Sequence, residues 1–233
     1  MAQGSSIQPH NLVVSRKMFC PVCKKEFLQY AVRKTRIRLV RSDVDLRHYF
    51  EPIDPLYYDT ILCNSCGYSA DVMFFNNIQR FRQPWINEQI TPGFKPIVLD
   101  LPYTAESVVG LFKHAMKNAD AKKAKNGEIG YLHLKMAWLY RDMQDEEKEK
   151  EELTIAVSHF EKAYTEEDFP ICSMNNMTFR YLVGAIHYLL GNYRESSKWL
   201  SEVIVARNIA GRLKNRALDL KDELRKAYNI GTD

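Results

Sequence analysis

No apolar run in the chain approaches the roughly 18 residues that a membrane-spanning helix needs, so none is expected to cross a bilayer. The opening MAQGSSIQPHNLVVSRK lacks a basic stretch followed by an apolar one; no secretory signal is expected, and the first dozen residues read as a polar tail. There is also no glycine-rich phosphate loop, no HExxH pair and no GxSxG elbow, which removes the familiar nucleotide, metalloprotease and hydrolase signatures. Strong charge is missing too. The formal net charge is +4, with 45% hydrophobic and 27% charged residues, the composition of an ordinary folded soluble protein rather than a disordered one.

What charge there is lies at one end. Residues 1–80 hold 11 Lys/Arg against 7 Asp/Glu, and the remainder hold 22 against 22. The five cysteines are also uneven: CPVC at 20–23, CNSC at 63–66, and a solitary Cys172. Two CxxC pairs without an export signal favour a metal over disulfides, because a reducing compartment keeps thiols free to ligate. A thioredoxin-type redox pair needs one CxxC at a helix start, whereas CPVCKKEF and CNSCGYSA read as turns. Cys20, Cys23, Cys63 and Cys66 are therefore predicted to hold one structural Zn2+ in a closed tetrahedral site.

Between the pairs lie 39 residues, enough for something to fold inside the loop. VRKTRIRLV reads as a strand with Ile37 and Leu39 on one face, and with Lys34, Arg36 and Arg38 available on the other for nucleic acid. LYYDTIL, residues 56–62, reads as a second strand. Asp43 and Asp45 are expected to pair with Arg36, Arg38 and Arg41, and Asp54 and Asp59 to cap turns. His48 reads as an ordinary polar residue, since four cysteines already complete the site.

Prolines at 84, 92, 96 and 102 forbid a long helix in the next stretch, whose Trp85, Ile86 and Phe94 suggest a docked connector. Helical periodicity then takes over. Thr104 is expected to cap a first helix that Asn126-Gly127 stops; others are predicted near 130–142, 147–165 and 175–190, then two more, the former opened by Asn192 with Glu195 as a capping box. YLVGAIHYLLGNYRESSKWLSEVI, residues 181–204, looks like a tetratricopeptide repeat, and Ala137, Tyr140, Ala156, Phe160 and Ala163 form a looser copy with MQDEEKE inserted at its helix turn. Cys172, His133, His159 and His187 are adequately explained by packing.

The fold class expected is α+β: a small zinc-ribbon-like β module over 16–80, a connector over 81–103 and a tetratricopeptide-like helical bundle over 104–230. The chain also resembles the bacterial DUF2225 family. The resemblance rests on CPVC at 20–23, the basic run through Arg41 to Asp43 and Asp45, DPLYYDTILCNSCGY at 54–68, EEDFP at 166–170 and LGNY at 190–193. Asp54 and Asn64 stand where the family pattern has Asn and Pro, and neither is a thiolate. The resemblance implies architecture and brings no activity with it. From the residues, the leading function is a cytoplasmic scaffold or adaptor that binds a protein or peptide partner on its helices. Nucleic-acid binding through residues 33–41 is the alternative, and a metal-dependent enzyme the third.

Overall fold

The computed structural model describes residues 12–207 and 209–230; most of the expected polar tail, residues 1–11, lies outside them. The chain is α+β, with small antiparallel hairpins first and, among the described residues, seven helices after. Strand β1 (Val13–Phe19) pairs with β2 (Glu26–Val32) in a register that sets Val13 opposite Val32 and Phe19 opposite Glu26. Strand β3 (Arg38–Ser42) pairs with β4 (His48–Glu51), and β5 (Thr60–Leu62) with β6 (Ser69–Asp71). The helices are α1 (Gln83–Gln89), α2 (Ala105–Ala121), α3 (Asn126–Asp142), α4 (Glu146–Glu166), α5 (Asn176–Leu189), α6 (Tyr193–Val205) and α7 (Gly211–Ile230).

Packing divides the chain into two compact units. The first comprises residues up to Arg41, His48–Ala124 and Asp142–Gln144; the second comprises Ser42–Arg47, Lys125–Arg141 and the chain from Asp145. Isolated two-stranded hairpins are marginal in water. The first unit supplements them with an apolar cluster of Val22, Ile61, Tyr68, Phe75, Ile78 and Ile86 around Cys20, Cys63 and Cys66. Tyr68 and Phe75 are fully buried, with ring centroids 4.9 Å apart, and the Tyr68 hydroxyl donates to the Phe75 carbonyl at 3.0 Å. Helix α2 belongs to this unit and packs on β5 and β6. Thr104 caps it as expected: the Ser107 amide donates to the Thr104 hydroxyl, and the Thr104 amide to the Ser107 hydroxyl.

In the second unit α5 and α6 approach closely. A Cβ at Gly184 would lie 3.0 Å from Leu200 Cγ, and the buried Ser196 hydroxyl donates to the Gly184 carbonyl at 2.7 Å. Gly130 on α3 meets Phe160 on α4 in the same way, at 2.8 Å.

Several expectations are corrected. Residues 33–41 are not one strand: Lys34–Arg36 forms a 3-10 turn and only Arg38 onward pairs as β3, so Lys34, Arg36 and Arg38 do not share a period-two face. Leu39 is 54% exposed while Ile37 packs against a buried cluster, so they do not share a buried face either. Pro55–Tyr58 is a 3-10 turn started by proline and capped by Asp54, leaving Thr60–Leu62 as the strand. The first long helix ends at Ala121, and Asn126-Gly127 opens α3 rather than closing α2. Asn192 makes no side-chain cap. The extra residues of MQDEEKE are not a longer turn, because Glu146 onward is already α4, capped by Asp145.

Candidate metal centre

Both CxxC pairs lie at hairpin tips. Cys20–Cys23 turns β1 into β2, and Cys63–Cys66 turns β5 into β6. Their backbones repeat one another. The Cys20 amide donates to the Lys25 carbonyl at 3.0 Å and the Lys24 amide to the Cys20 carbonyl at 3.0 Å; the Cys63 amide donates to Tyr68 at 2.9 Å and the Gly67 amide to Cys63 at 2.8 Å. The residue after each pair is left-handed, with φ +63° at Lys24 and +78° at Gly67. This tight turn aims both thiols of a pair to one side. The two tips then bring four thiols together.

All four Sγ atoms lie within 4.8 Å of one another, with Cys20–Cys66 at 3.7 Å and Cys23–Cys63 at 3.6 Å. Disulfide bonds of about 2.05 Å are thereby excluded. Tetrahedral thiolate sites with metal–sulfur bonds of about 2.3 Å have sulfur–sulfur edges of roughly 3.8 Å, so this donor set fits a single metal ion. Cys20, Cys63 and Cys66 are buried, and Cys23 is half-buried. Hydrogen bonds from the Cys20 and Cys66 thiols push the Cys63 pKa far down. Donating to Cys63 raises Cys20 to about 12, and donation toward Cys20 and Cys63 pushes Cys66 up as well. Without a cation the cluster therefore favours a thiolate at Cys63 while holding protons on Cys20 and Cys66. Ionising the whole set calls for a positive charge at its centre.

The second tip is braced by side chains that sequence reasoning missed. His114 on α2 contacts the Gly67 carbonyl at 2.7 Å, and the fully buried Asn118 spans the hairpin, accepting from the Ser69 amide at 3.2 Å and donating to Gly67. The Thr91 hydroxyl donates to the Cys66 carbonyl at 2.9 Å. Asn64, at the position where a proline was expected, exchanges two 3.0 Å bonds with the backbone of Ile97 and so pins the connector. Phe94 covers Gly67 so tightly that a Cβ there would fall 2.5 Å from its ring. The available signal was His114 and Asn118, polar and four apart beside the apolar stripe of α2.

The other singled-out residues fall elsewhere. Lys34 and Arg36 are exposed on their turn, and Arg38 pairs with Glu51 at 3.1 Å. Asp45, on the β3–β4 turn, takes a different partner from those expected. Asp45, fully buried, receives both guanidinium nitrogens of Arg141, at 2.7 and 3.1 Å, and the Trp138 indole at 2.9 Å. Asp43 and Glu149 complete the shell of Arg141 at 3.0 and 2.8 Å. Burial works against this cation, but Asp45 and Glu149 more than offset it and hold its pKa above the ordinary arginine value. Cys172 is buried and donates to the Gly127 carbonyl at 3.1 Å.

Paired hairpins sharing four clustered cysteines, followed by helices, define a mixed α+β protein whose cysteine cluster could hold a metal ion. One family profile covers residues 13–224, and the chain belongs to that family, described as an uncharacterized protein conserved in bacteria (DUF2225). No curated protein and no solved structure matches it.

Proposed function

We propose that the protein is a zinc-stabilised cytoplasmic scaffold or adaptor that engages a protein or peptide partner through tetratricopeptide-like helix pairs. The observation that carries this reading is the closed donor set. Three of its four thiols are buried and all four point at one centre, which leaves no coordination position for substrate. Zn2+ is the ion that four thiolates in tetrahedral array suit best, and bound there it supplies charge neutralisation and cross-linking rather than catalysis. Cys20, Cys23, Cys63 and Cys66 would hold it. Five free cysteines suit a reducing compartment, and no helix is long and apolar enough to cross a membrane. Helices that meet through Gly130 and Gly184 leave their outer surfaces for recognition.

A nucleic-acid reading keeps one observation in its favour. Arg16, Arg33 and Lys34 line a concave surface of about 720 Å3 on the first unit, although Asp59 lies on it too. Capture of partners from native lysate on the zinc-loaded chain, with and without nuclease, separates the two. Nuclease-insensitive capture supports the adaptor; capture lost on nuclease treatment sinks it in favour of nucleic acid.

A further inference from the structure

On α6, Arg194 and Lys198 stand four residues apart; on α7, so do Lys221 and Arg225. All four line one groove of about 640 Å3 with Tyr193, Ser197 and Leu224. Like charges at this spacing repel along a helix, and here two such pairs line the same groove. The acidic groups nearby do little to relieve it. Glu195 takes Lys198 at 2.6 Å and Asp222 takes Arg225 at 3.0 Å, both pairs local and largely solvated, so both are weak and exchangeable. Among the described residues Lys221 has only the Ser201 hydroxyl, at 2.8 Å, and the exposed Arg194 makes no ion pair. Glu223, the remaining carboxylate on that turn of α7, is taken by Lys226.

We propose that this groove is the docking site for an acidic peptide segment anchored by an apolar or aromatic side chain. The proposal rests on the adaptor reading and names the chemistry of its partner. Four cations from two rigid helices can each give a charge-assisted hydrogen bond to carboxylates, while the Leu224 floor and the Tyr193 ring take an apolar side chain. The volume exceeds what one small anion fills and lies in the range of peptide and ligand clefts, roughly 300–1,000 Å3. A nucleic acid is the poorer fit. Polyanion binding draws its strength from about 6–10 phosphate contacts along a basic track, and this groove has four cations over an apolar floor.

The test uses the zinc-loaded full chain and a short fluorescein-labelled peptide rich in Glu with one Leu and one Tyr. Its counterpart with Gln for Glu, a short single-stranded DNA and inorganic phosphate as competitor form the other arms. The acidic peptide should bind about tenfold or more tighter than its Gln counterpart, and Arg194→Gln/Lys198→Gln or Lys221→Gln/Arg225→Gln should each weaken it about tenfold. Ser197→Glu, which puts a carboxylate into the groove, should abolish binding with the circular dichroism of α-helix unchanged. Equal affinity for both peptides, indifference to all three variants, or tighter DNA binding that the same variants remove would each overturn the proposal. Nuclease-insensitive capture unaffected by the combined Gln variant would remove this groove and leave the adaptor reading standing.

Discussion

In the first unit the buried apolar cluster is built around thiols: Cys20, Cys63 and Cys66 sit among Tyr68, Phe75 and Ile86, and the strands they join are seven and three residues long. Among the described residues the second unit has no such centre. Its helices bury Tyr181, Ala185, Leu200, Val203, Ala217, Leu220 and Leu224 in one cluster, and a deep charge network, Asp45 with Arg141, is held by protein groups. Removing a ligand should therefore act on one unit, and removing a charge partner on the other. Structural zinc contributes an apparent 10–16 kcal/mol in small zinc peptides, so Cys63→Ser or chelation should have the largest effect of any perturbation. Hydrogen exchange should show lost protection over 13–32, 60–71 and α2, which packs on β5 and β6, while α3 to α7 stay protected. Equal loss in α3 to α7 would show that the units fold as one.

The complementary cut is Arg141→Ala. It leaves the fully buried Asp45 carboxylate without its bidentate partner, and breaking such a pair costs about 3–5 kcal/mol. Urea unfolding followed through Trp138, which donates to Asp45, should move to lower midpoint, with zinc content unchanged. A loss below about 1 kcal/mol would mean that water or another cation reaches Asp45.

Arg141 also shows where the sequence was legible and where it was not. Local signals read well: the two CxxC turns, the Thr104 cap, the apolar stripes of α2 and α4, and the small residue at Gly184 that lets α6 approach. Each depends on neighbours within a turn or a short repeat. Asp43 and Asp45 were assigned to Arg36, Arg38 and Arg41 because those are near in sequence. The actual partner is 96 positions beyond Asp45, on the last turn of α3, and only its setting beside Trp138 hinted at it. His114 and Asn118 escaped for the same reason: their work is done on Gly67, 47 and 51 positions away. The basic run misled differently. Alternation of Arg with apolar residues has the period of a strand, yet a 3-10 turn can carry it where no partner strand lies alongside.

A smaller effect distinguishes the two tips of the cysteine cluster from each other. They share a backbone, but Gly67 is covered by Phe94 while Lys24 is exposed in an equivalent left-handed position. Gly67→Ala should cost about 1–3 kcal/mol from overpacking and strain, and Lys24→Gly less than about 1 kcal/mol. In a Phe94→Ala background the cost of Gly67→Ala should fall, leaving the backbone part. An unchanged cost in that background would assign the whole penalty to φ.

Another effect in the first unit appears only in base. Tyr103 packs against Tyr58 at a ring separation of 4.6 Å and against Tyr30 at 6.4 Å. Burial, with the charges that Tyr58 and Tyr30 would carry, pushes its pKa from 10.0 up to about 12. The folded phenol thus holds its proton more tightly than the unfolded one. Below the unfolded pKa of 10.0 this contribution is fully present; between there and about 12 the unfolded chain ionises first, binds fewer protons, and stability falls as pH rises. Tyr58 is raised too, by burial, against the opposing Tyr103 amide that donates to its hydroxyl. Tyr103→Phe keeps the ring and that amide while removing the titrating group. Urea midpoints for the first unit, taken at about pH 9 and about pH 11, should therefore drop less in Tyr103→Phe than in the parent. The second unit provides the internal control, since its midpoint should respond identically in both proteins. Equal drops in the first unit would mean that the folded and unfolded Tyr103 phenols ionise together, and that the tyrosine stack is open to hydroxide and water.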